Sequence, residues 1–286
     1  MITPIKYIAS SGREYDLTAN GTIHTAANYY NFAWNVQGTT LQHGVRVSDF
    51  SRQPAEYDVD LVIYGTPAQR RQLLTALHND FENDMRKKKT GRIVWGNYYI
   101  DCFITQSQTN PFETWRYLQN TIHIYAPYPF WVQESQISLL ASGEVVSGYG
   151  EVVSGYLDYP FDYMYDYTAP VIGKKIIKSD FPFDSEFQMV IYGLAVNPRI
   201  TINDYPYILR ATIPQGAYVI IDSRSHSITQ YNADGTQSNM FNYRNKTDSI
   251  FSKIPGGNLE ISWDASFGAD ITVYHEKSEP DFVEVV

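Results

Sequence analysis

Residues 56–64 read EYDVDLVIY. In this stretch apolar side chains alternate with acidic ones, which predicts a β-strand with one buried face and one solvated face. The predicted solvated face carries Glu56, Asp58 and Asp60. Neighbouring carboxylates can serve acid–base chemistry or bind a metal, but a solvated strand face is the commoner use of such a pattern. We therefore interpret these three residues as surface residues.

The period of the apolar residues changes directly after this strand. An N-cap, a proline at the first helical position and a capping-box residue predict a helix start, at Thr66, Pro67 and Gln69. Apolar residues then recur every three to four positions, which predicts one long helix over residues 66–89. Its basic end, Arg86 to Lys89, complements the helix dipole, and Gly91 is predicted to end the helix. No second basic cluster supports a nucleic-acid or membrane patch here.

The remaining sequence predicts strands and turns. Asn20-Gly21 and Gly96-Asn97 are hairpin-turn signals. Short β-branched or aromatic segments, separated by glycine, proline, asparagine and aspartate, predict strands at 93–95, 98–104, 118–125, 174–177, 187–192, 199–202, 207–213, 218–222, 227–231, 259–263 and 271–275. Their spacing favours a β-sandwich or jelly roll in the second half.

We predict three parts in the chain. They are an N-terminal domain over residues 1–133, a tyrosine-rich linker or hairpin over 134–170, and a C-terminal domain over 171–286. The segment GEVVSGY occurs at 143–149 and again at 150–156. Two interpretations of this region stay open: a hairpin whose tyrosines pack on neighbours, or an exposed stacking or docking surface.

Composition narrows the possible functions. The chain has 286 residues, a net charge of −9, 24 tyrosines and one cysteine, so no intramolecular disulfide can form. Residues 1–133 are nearly neutral, whereas residues 134–286 carry 10 basic and 20 acidic side chains, which argues against nucleic-acid binding there. Neither a secretory signal nor an apolar run of about 20 residues is present, so we expect synthesis in the cytosol and no membrane insertion.

The sequence offers no catalytic signature. Hydrolase, metalloprotease, phosphate-loop and dinucleotide-binding motifs are all missing, and the six histidines are scattered. Cys102 lies inside a predicted strand, which favours a buried thiol over a nucleophile. We expect no enzyme activity, no cofactor and no metal site, and we assign no catalytic, cofactor-binding or metal-binding residues. The sequence leaves the ligand-binding residues unknown.

Several motifs together resemble the distal tail protein (Dit) family of long-tailed, siphovirus-type phages. The order strand, capped helix and WGNYYIDC at 95–102 is similar to that family. So are APYPFW at 126–131, the tyrosine-rich DYPFDYMYDY at 158–167, and C-terminal residues at Gly193, Asn197 to Ile200, Gly216, Ile221, Asp222 and Ser252 to Ile261. The similarity covers nearly the whole chain in order. The duplicated GEVVSGY departs from the family pattern.

This resemblance implies a structural virion protein. It implies an N-terminal small β-barrel with one long helix, which builds a hexameric ring around the tail channel. It also implies a C-terminal galectin-like β-sandwich, a jelly roll, that faces outward. The implied location is the distal end of the phage tail, after synthesis in the host bacterial cytoplasm. The implied partners are further copies of the chain, the tail tube protein, and tail-tip, baseplate or receptor-binding proteins that serve host adhesion.

Two other functions stay open from the sequence. The first is a carbohydrate-binding receptor-recognition protein that acts through the C-terminal sandwich, where sugar stacking would need an exposed tryptophan. Trp263 is the one tryptophan in that half, and its alternation with Ile261 predicts a core position instead. The second is a tail-associated hydrolase, which would need carboxylate pairs that the sequence cannot place.

Overall fold

The computed structural model describes residues 5–19, 21–110, 117–141 and 173–281. Within these residues the protein is mainly β with one α-helix, as the sequence predicts. The chain forms two compact units, one up to Gln133 together with Glu276–Asp281, and one from Glu134 to His275. The three-part division of the chain stays a prediction. Both copies of GEVVSGY, most of the predicted linker and the tyrosine-rich DYPFDYMYDY lie outside the described residues.

The first unit contains one helix and a set of mostly antiparallel strands. In chain order these are β1 (Ile5–Ile8), β2 (Glu14–Asp16), β3 (Thr22–Ala27), β4 (Asn35–Thr40), β5 (Val45–Ser51), β6 (Ala55–Tyr64), α1 (Pro67–Lys87), β7 (Gly91–Trp95), β8 (Tyr98–Thr109), β9 (Tyr117–Ala126) and β10 (Trp131–Leu139), the last of which runs on into the second unit.

Strand β8 belongs to two sheets of this unit. Its first half pairs with β7, which continues through β1 to β2, and with the start of β10. Its second half pairs with β9, which continues through β6 to β3. The register shifts between Ile104 and Gln106, where β8 passes between the two pairings. Such a bulge bends a strand and re-aims its side chains.

The predicted strand over 56–64 is confirmed as β6. Its apolar side chains Tyr57, Val59, Leu61 and Ile63 are buried. The helix covers this core with Leu77 and Phe81. Two helix carboxylates are also buried, and the Tyr7 hydroxyl donates to Asp84 Oδ2 at 2.6 Å. Burial, together with this hydrogen bond to Asp84, raises the pKa of Tyr7. The helix is thereby fixed to β1 by both apolar and polar contacts.

The predicted helix start is confirmed, but its predicted end is wrong. Thr66 and Gln69 form the capping box, with Pro67 at the first helical position. The helix ends at Lys87, because Lys88 adopts a left-handed conformation with φ of 53°. Gly91 instead begins β7, where a Cβ atom would lie 2.5 Å from the Tyr7 hydroxyl oxygen. Close packing, rather than helix termination, requires glycine at this position.

The two predicted hairpin turns have different outcomes. Gly96-Asn97 connects β7 to β8, with Trp95 paired to Tyr98. Gly21 does take a positive φ of 95°, but β2 and β3 do not pair with each other in the described structure. β2 pairs with β1 and β3 with β6, so this turn connects two ladders instead of closing a hairpin.

The second unit consists of short strands. They are β11 (Gly173–Ile177), β12 (Glu186–Tyr192), β13 (Ala195–Val196), β14 (Arg199–Ile202), β15 (Tyr205–Ile208), β16 (Thr212–Ile213), β17 (Tyr218–Asp222), β18 (Ser227–Tyr231), β19 (Gln237–Asn239), β20 (Leu259–Trp263) and β21 (Ala269–Lys277), with one 3-10 turn at Phe241–Tyr243.

Most of these strands form two sheets over a shared core, and β13 pairs with β16 in a separate two-stranded ladder. One sheet has the order β19-β18-β17-β12-β21, and the other has the order β11-β20-β14-β15. Buried side chains from both sheets belong to one hydrophobic cluster, including Phe187, Val219, Ile202, Ile261 and Trp263. The strands predicted in this half are present, although the segment 207–213 is interrupted at residues 209–211.

Candidate functional site

The β4–β5 hairpin is the most exposed part of the described chain. Every residue from 31 to 50 is exposed to solvent. An isolated two-stranded hairpin is marginally stable in water at best, because nothing covers either of its faces. A hairpin of this length that is bare on both sides is typical of a segment that another surface covers.

The two faces of this hairpin differ in chemistry. Directly paired residues share a face, and the register pairs Val36 with Phe50, Gly38 with Val47, and Thr40 with Val45. The opposite face carries Asn35, Gln37, Thr39, Arg46, Asp49 and Ser51. The bulge at Ser48 keeps Phe50 on the apolar side. We call the face formed by the first three pairs the apolar hairpin face; its residues are Val36, Gly38, Thr40, Val45, Val47 and Phe50.

The apolar hairpin face is uncovered in the single chain. Val36 is 57% exposed, Val47 45% and Phe50 55%. Burying one such side chain fully is worth roughly 1.5–3 kcal/mol. Leu41 at the turn is exposed as well, so the apolar surface extends to the tip. Contiguous apolar surface of this kind marks interaction sites in soluble proteins.

The base of the hairpin is anchored to the first unit. The Arg52 guanidinium lies over the Phe130 ring, 4.8 Å from its centroid, and 5.5 Å from that of Trp34. Arg52 Nε and Nη1 have no hydrogen-bond partner among the described residues, and burial lowers the pKa of this side chain. The stacking therefore fixes the hairpin at its stem while the strands beyond it project.

A second surface of this unit is polar and acidic. Glu56, Asp58 and Asp60 lie on the exposed face of β6, as the sequence predicts. His123 of the neighbouring β9 lies with Nδ1 2.7 Å from Asp58 Oδ1 and with Nε2 3.8 Å from Glu56 Oε2. The Thr121 hydroxyl donates to Asp60 at 2.7 Å. These residues satisfy one another and form a solvated sheet face.

The other residues considered from the sequence lie in the cores. Cys102 is fully buried, and burial raises the pKa of its thiol, which disfavours the reactive thiolate form. Trp263 is only 7% exposed and donates to the Leu140 carbonyl, so it offers no stacking surface for a sugar. No described group of three or more His, Cys, Asp or Glu side chains is arranged to hold a metal. The helix among the described residues is too polar to span a membrane.

Sequence reasoning missed the β4–β5 hairpin. Its signal was present, because apolar and polar residues alternate over 36–40 and 45–47, and a glycine at 44 closes the turn. The pattern is weak, since glycine and threonine occupy two of the three positions that β4 contributes to the apolar face. No feature of the sequence indicates that this face would remain uncovered.

No protein-family model matches this sequence, and no curated protein matches it. Solved structures do match. The Dit protein of phage SPP1, described as a paradigm of the hub adsorption apparatus in phages that infect Gram-positive bacteria, aligns with a TM-score of 0.61 at 10% identity, over 97% of this chain and all of that one. Chains of the phage P2 baseplate in its activated conformation align with TM-scores of 0.62 with calcium and 0.63 with strontium, at 13% identity, over 98% of this chain and all of theirs.

The fold is therefore one found in phage baseplates. Within that class, this chain is similar along nearly its whole length to the Dit hub protein of SPP1. The predicted resemblance to the distal tail proteins is confirmed at the level of the fold.

Proposed function

We propose that this protein is a structural component of a phage tail. In this proposal it forms a hexameric ring at the distal end of the tail. The ring joins the tail tube to the baseplate or host-adhesion apparatus, and the chain has no enzymatic role. The observation that carries the proposal is the full-length likeness in fold to a hub protein and to baseplate chains.

The apolar hairpin face supports self-assembly. In a ring built from head-to-tail contacts, every copy presents the same two different surfaces, and closure leaves none of them bare. A hairpin that projects from one copy onto the first unit of the next would bury Val36, Val45, Val47 and Phe50. The docked hairpin would also pair the free backbone N–H and C=O groups of exposed strand edges, which otherwise promote aggregation. The Arg52 anchor gives the hairpin a fixed starting direction.

The acidic face of β6 and β9 is suited to line a channel through which nucleic acid passes. A DNA duplex carries about one negative charge per 1.7 Å of its axis, and carboxylates repel it. The paired side chains Asp58, Asp60, Thr121 and His123 form no basic patch. Such a face would line a channel without retaining DNA. We assign this role to the face as part of the proposal.

Mass photometry of the purified full-length protein, with negative-stain images of the same sample, tests the proposal. We expect particles near six times 32.8 kDa that contain a central hole. A strict monomer at every concentration, both alone and with the tail tube protein added, would contradict the ring.

Two sets of hairpin variants sharpen this test. Val36→Thr, Val45→Thr and Val47→Thr together keep β-branched shape but place hydroxyls on the apolar hairpin face. We expect them to shift the particles from rings to monomers without lowering the melting temperature of the monomer, since these side chains are exposed in the single chain. The matched control, Gln37→Thr with Arg46→Thr, changes only the polar face and should leave the rings intact. Equal behaviour of both sets would refute the assignment of the apolar face.

A further inference from the structure

The second half of β8 has one edge that no described strand covers. β7 pairs with β8 only as far as Cys102, and beyond that residue β9 is the one described strand that pairs with it. Asn110 donates its backbone N–H to the Gln119 carbonyl of β9 at 3.0 Å. Backbone groups alternate in direction along a strand, so the N–H groups of Ser107 and Thr109 point away from β9. These donors lie on the uncovered edge.

The sequence of this edge does not oppose pairing with a further strand. Residues 106–109 read QSQT and contain neither a charge nor a proline. Charged side chains and proline are the usual means by which an exposed edge avoids pairing with another chain. The edge strands of the smaller sheet in the second unit do carry them, with Lys174 and Lys175 on β11 and Pro206 on β15. The β8 edge is therefore suited to accept a strand.

A groove lies along the same edge, between β8 and the helix. It has a volume of about 290 Å³ and is lined by residues of α1 from His78 to Met85 and by residues 104–107 of β8. Two of its lining residues, Phe81 and Ile104, are buried, whereas Met85 is 40% exposed. His78 Nε2 lies 2.8 Å from Ser107 Oγ, so the helix flanks the face of β8 to which Ser107 points.

A strand added at the β8 edge would direct every second side chain into this groove. Strand β5 has the matching sidedness, because Val45, Val47 and Phe50 lie on its apolar face. β5 contributes larger side chains to that face than β4 does, since two of the three β4 positions are glycine and threonine. The outer edge of β5 is also available, because β5 pairs with β4 alone among the described strands.

The polar side of β5 matches the other face of the sheet. Gln106 pairs with His123 of β9, which in turn pairs with Asp58 of β6, so these residues share the acidic face. Arg46 lies on the polar side of β5. Docking at the β8 edge would bring this cation onto a face that carries carboxylates, which is favourable electrostatically.

The occupant of the groove comes from another copy of the chain. Val45 and Val47 are 54% and 45% exposed in the single chain, and Met85 at the groove is 40% exposed. The hairpin of a copy therefore does not fill the groove of that same copy. Each copy presents one hairpin and one groove, which are the two different surfaces that a head-to-tail ring requires.

We propose that β5 of one copy pairs with the free edge of β8 in the next copy. In this arrangement Val45, Val47 and Phe50 occupy the groove beside α1. The proposal deepens the proposed function and rests on it, because it names the two surfaces that meet in the ring.

Cysteine cross-linking of assembled full-length protein tests the contact. Val47→Cys with Met85→Cys is treated with a short thiol-specific cross-linker, and the products are separated on a denaturing gel. A link inside one chain adds no second chain, whereas head-to-tail links give a ladder of up to six chains. The matched control, Val47→Cys with Ile23→Cys, places the second thiol on β3, at the opposite edge of the same sheet. We expect the ladder for Met85 and none for Ile23.

A charge placed in the groove provides a second measurement. Met85→Glu should raise the protein concentration needed for ring formation at least about tenfold, because the carboxylate would lose water on docking. The melting temperature of the unassembled chain should stay unchanged, since Met85 is 40% exposed. Gln72→Glu makes the same change of charge at an exposed position of α1 that does not line the groove, and it should leave the rings intact.

The outcomes separate this contact from the ring itself. Rings that give no ladder through Met85, or that give one through Ile23 instead, would overturn the contact and leave the proposed function in place. Equal loss of rings in Met85→Glu and Gln72→Glu would indicate a general charge effect and would also overturn it. A strict monomer, even with the tail tube protein added, would refute both the ring and the contact.

Discussion

Two hairpins of this protein have the same pattern and opposite surroundings. In β17–β18 of the second unit, Val219, Ile221 and Ile228 lie on one face and are buried. In β4–β5 of the first unit, valines and Phe50 likewise share one face, yet they are exposed. The alternation of apolar and polar residues fixes which face is apolar in both cases. It does not decide whether the same chain covers that face.

The difference lies in what faces each hairpin. β17–β18 belongs to a sheet whose core is shared with β14, β15 and β20, and Tyr207 and Ile261 belong to that core. The described chain provides no such sheet over β4–β5. The β17–β18 hairpin therefore contributes to the stability of its unit, whereas the β4–β5 hairpin is expected to contribute to assembly.

The largest effect should come from shortening a side chain in the covered hairpin. Ile221→Ala leaves a cavity in the core of the second unit and should cost about 2–5 kcal/mol in the free energy of unfolding. Val47→Ala in the uncovered hairpin should change the stability of the unassembled chain by less than about 0.5 kcal/mol. Urea denaturation of the two variants measures both. Comparable losses would mean that the β4–β5 face is covered after all.

Alkaline pH should also affect the two hairpins differently. Burial, with neighbouring Tyr205 and Asp184, raises the pKa of Tyr207, which packs in the core over β17–β18. The unfolded chain ionises this group near pH 10, so above that pH the folded state retains a proton that the unfolded state loses. The contribution of Tyr207 to stability is full below about pH 10 and declines as pH rises further.

We therefore expect the second unit to become less stable above about pH 10, as monitored by tyrosinate absorbance and calorimetry. The β4–β5 hairpin contains no tyrosine and should not respond directly. Tyr207→Phe should reduce the slope of stability against pH in this range. An unchanged slope in that variant would show that other groups dominate.

The smallest effect concerns the anchor of the uncovered hairpin. Arg52→Ala removes the stacking on Trp34 and Phe130, which at a partly exposed site is worth about 0.5–1 kcal/mol. We expect tryptic cleavage after Arg46 to become roughly two- to fivefold faster. Arg86→Ala, which removes only an exposed i,i+4 pair with Glu82, serves as the control. An unaltered cleavage rate in Arg52→Ala would show that the hairpin stem is held by other contacts.

Much of the fold follows from local sequence patterns. The buried face of β6, the capping box at Thr66 and Gln69, and most strands of the second unit are confirmed by the structure. Each depends on residues close together in the chain, where periodicity and capping chemistry act. The predicted helix end was wrong because Lys88, rather than Gly91, adopts the left-handed conformation that ends the helix. Glycine is required at position 91 for another reason, which is that Tyr7 packs closely against its backbone.

The sequence by itself determined the sidedness of strands, the position of the helix and the lack of a recognisable catalytic motif. Only the tertiary structure decided which apolar faces are covered, that Gly91 packs against Tyr7, and that the Trp263 side chain meets the Leu140 carbonyl. The physical reason is the separation along the chain over which each effect acts. Alternation and capping arise between neighbours in the chain, whereas burial and the meeting of residues more than a hundred positions apart depend on how distant strands pack.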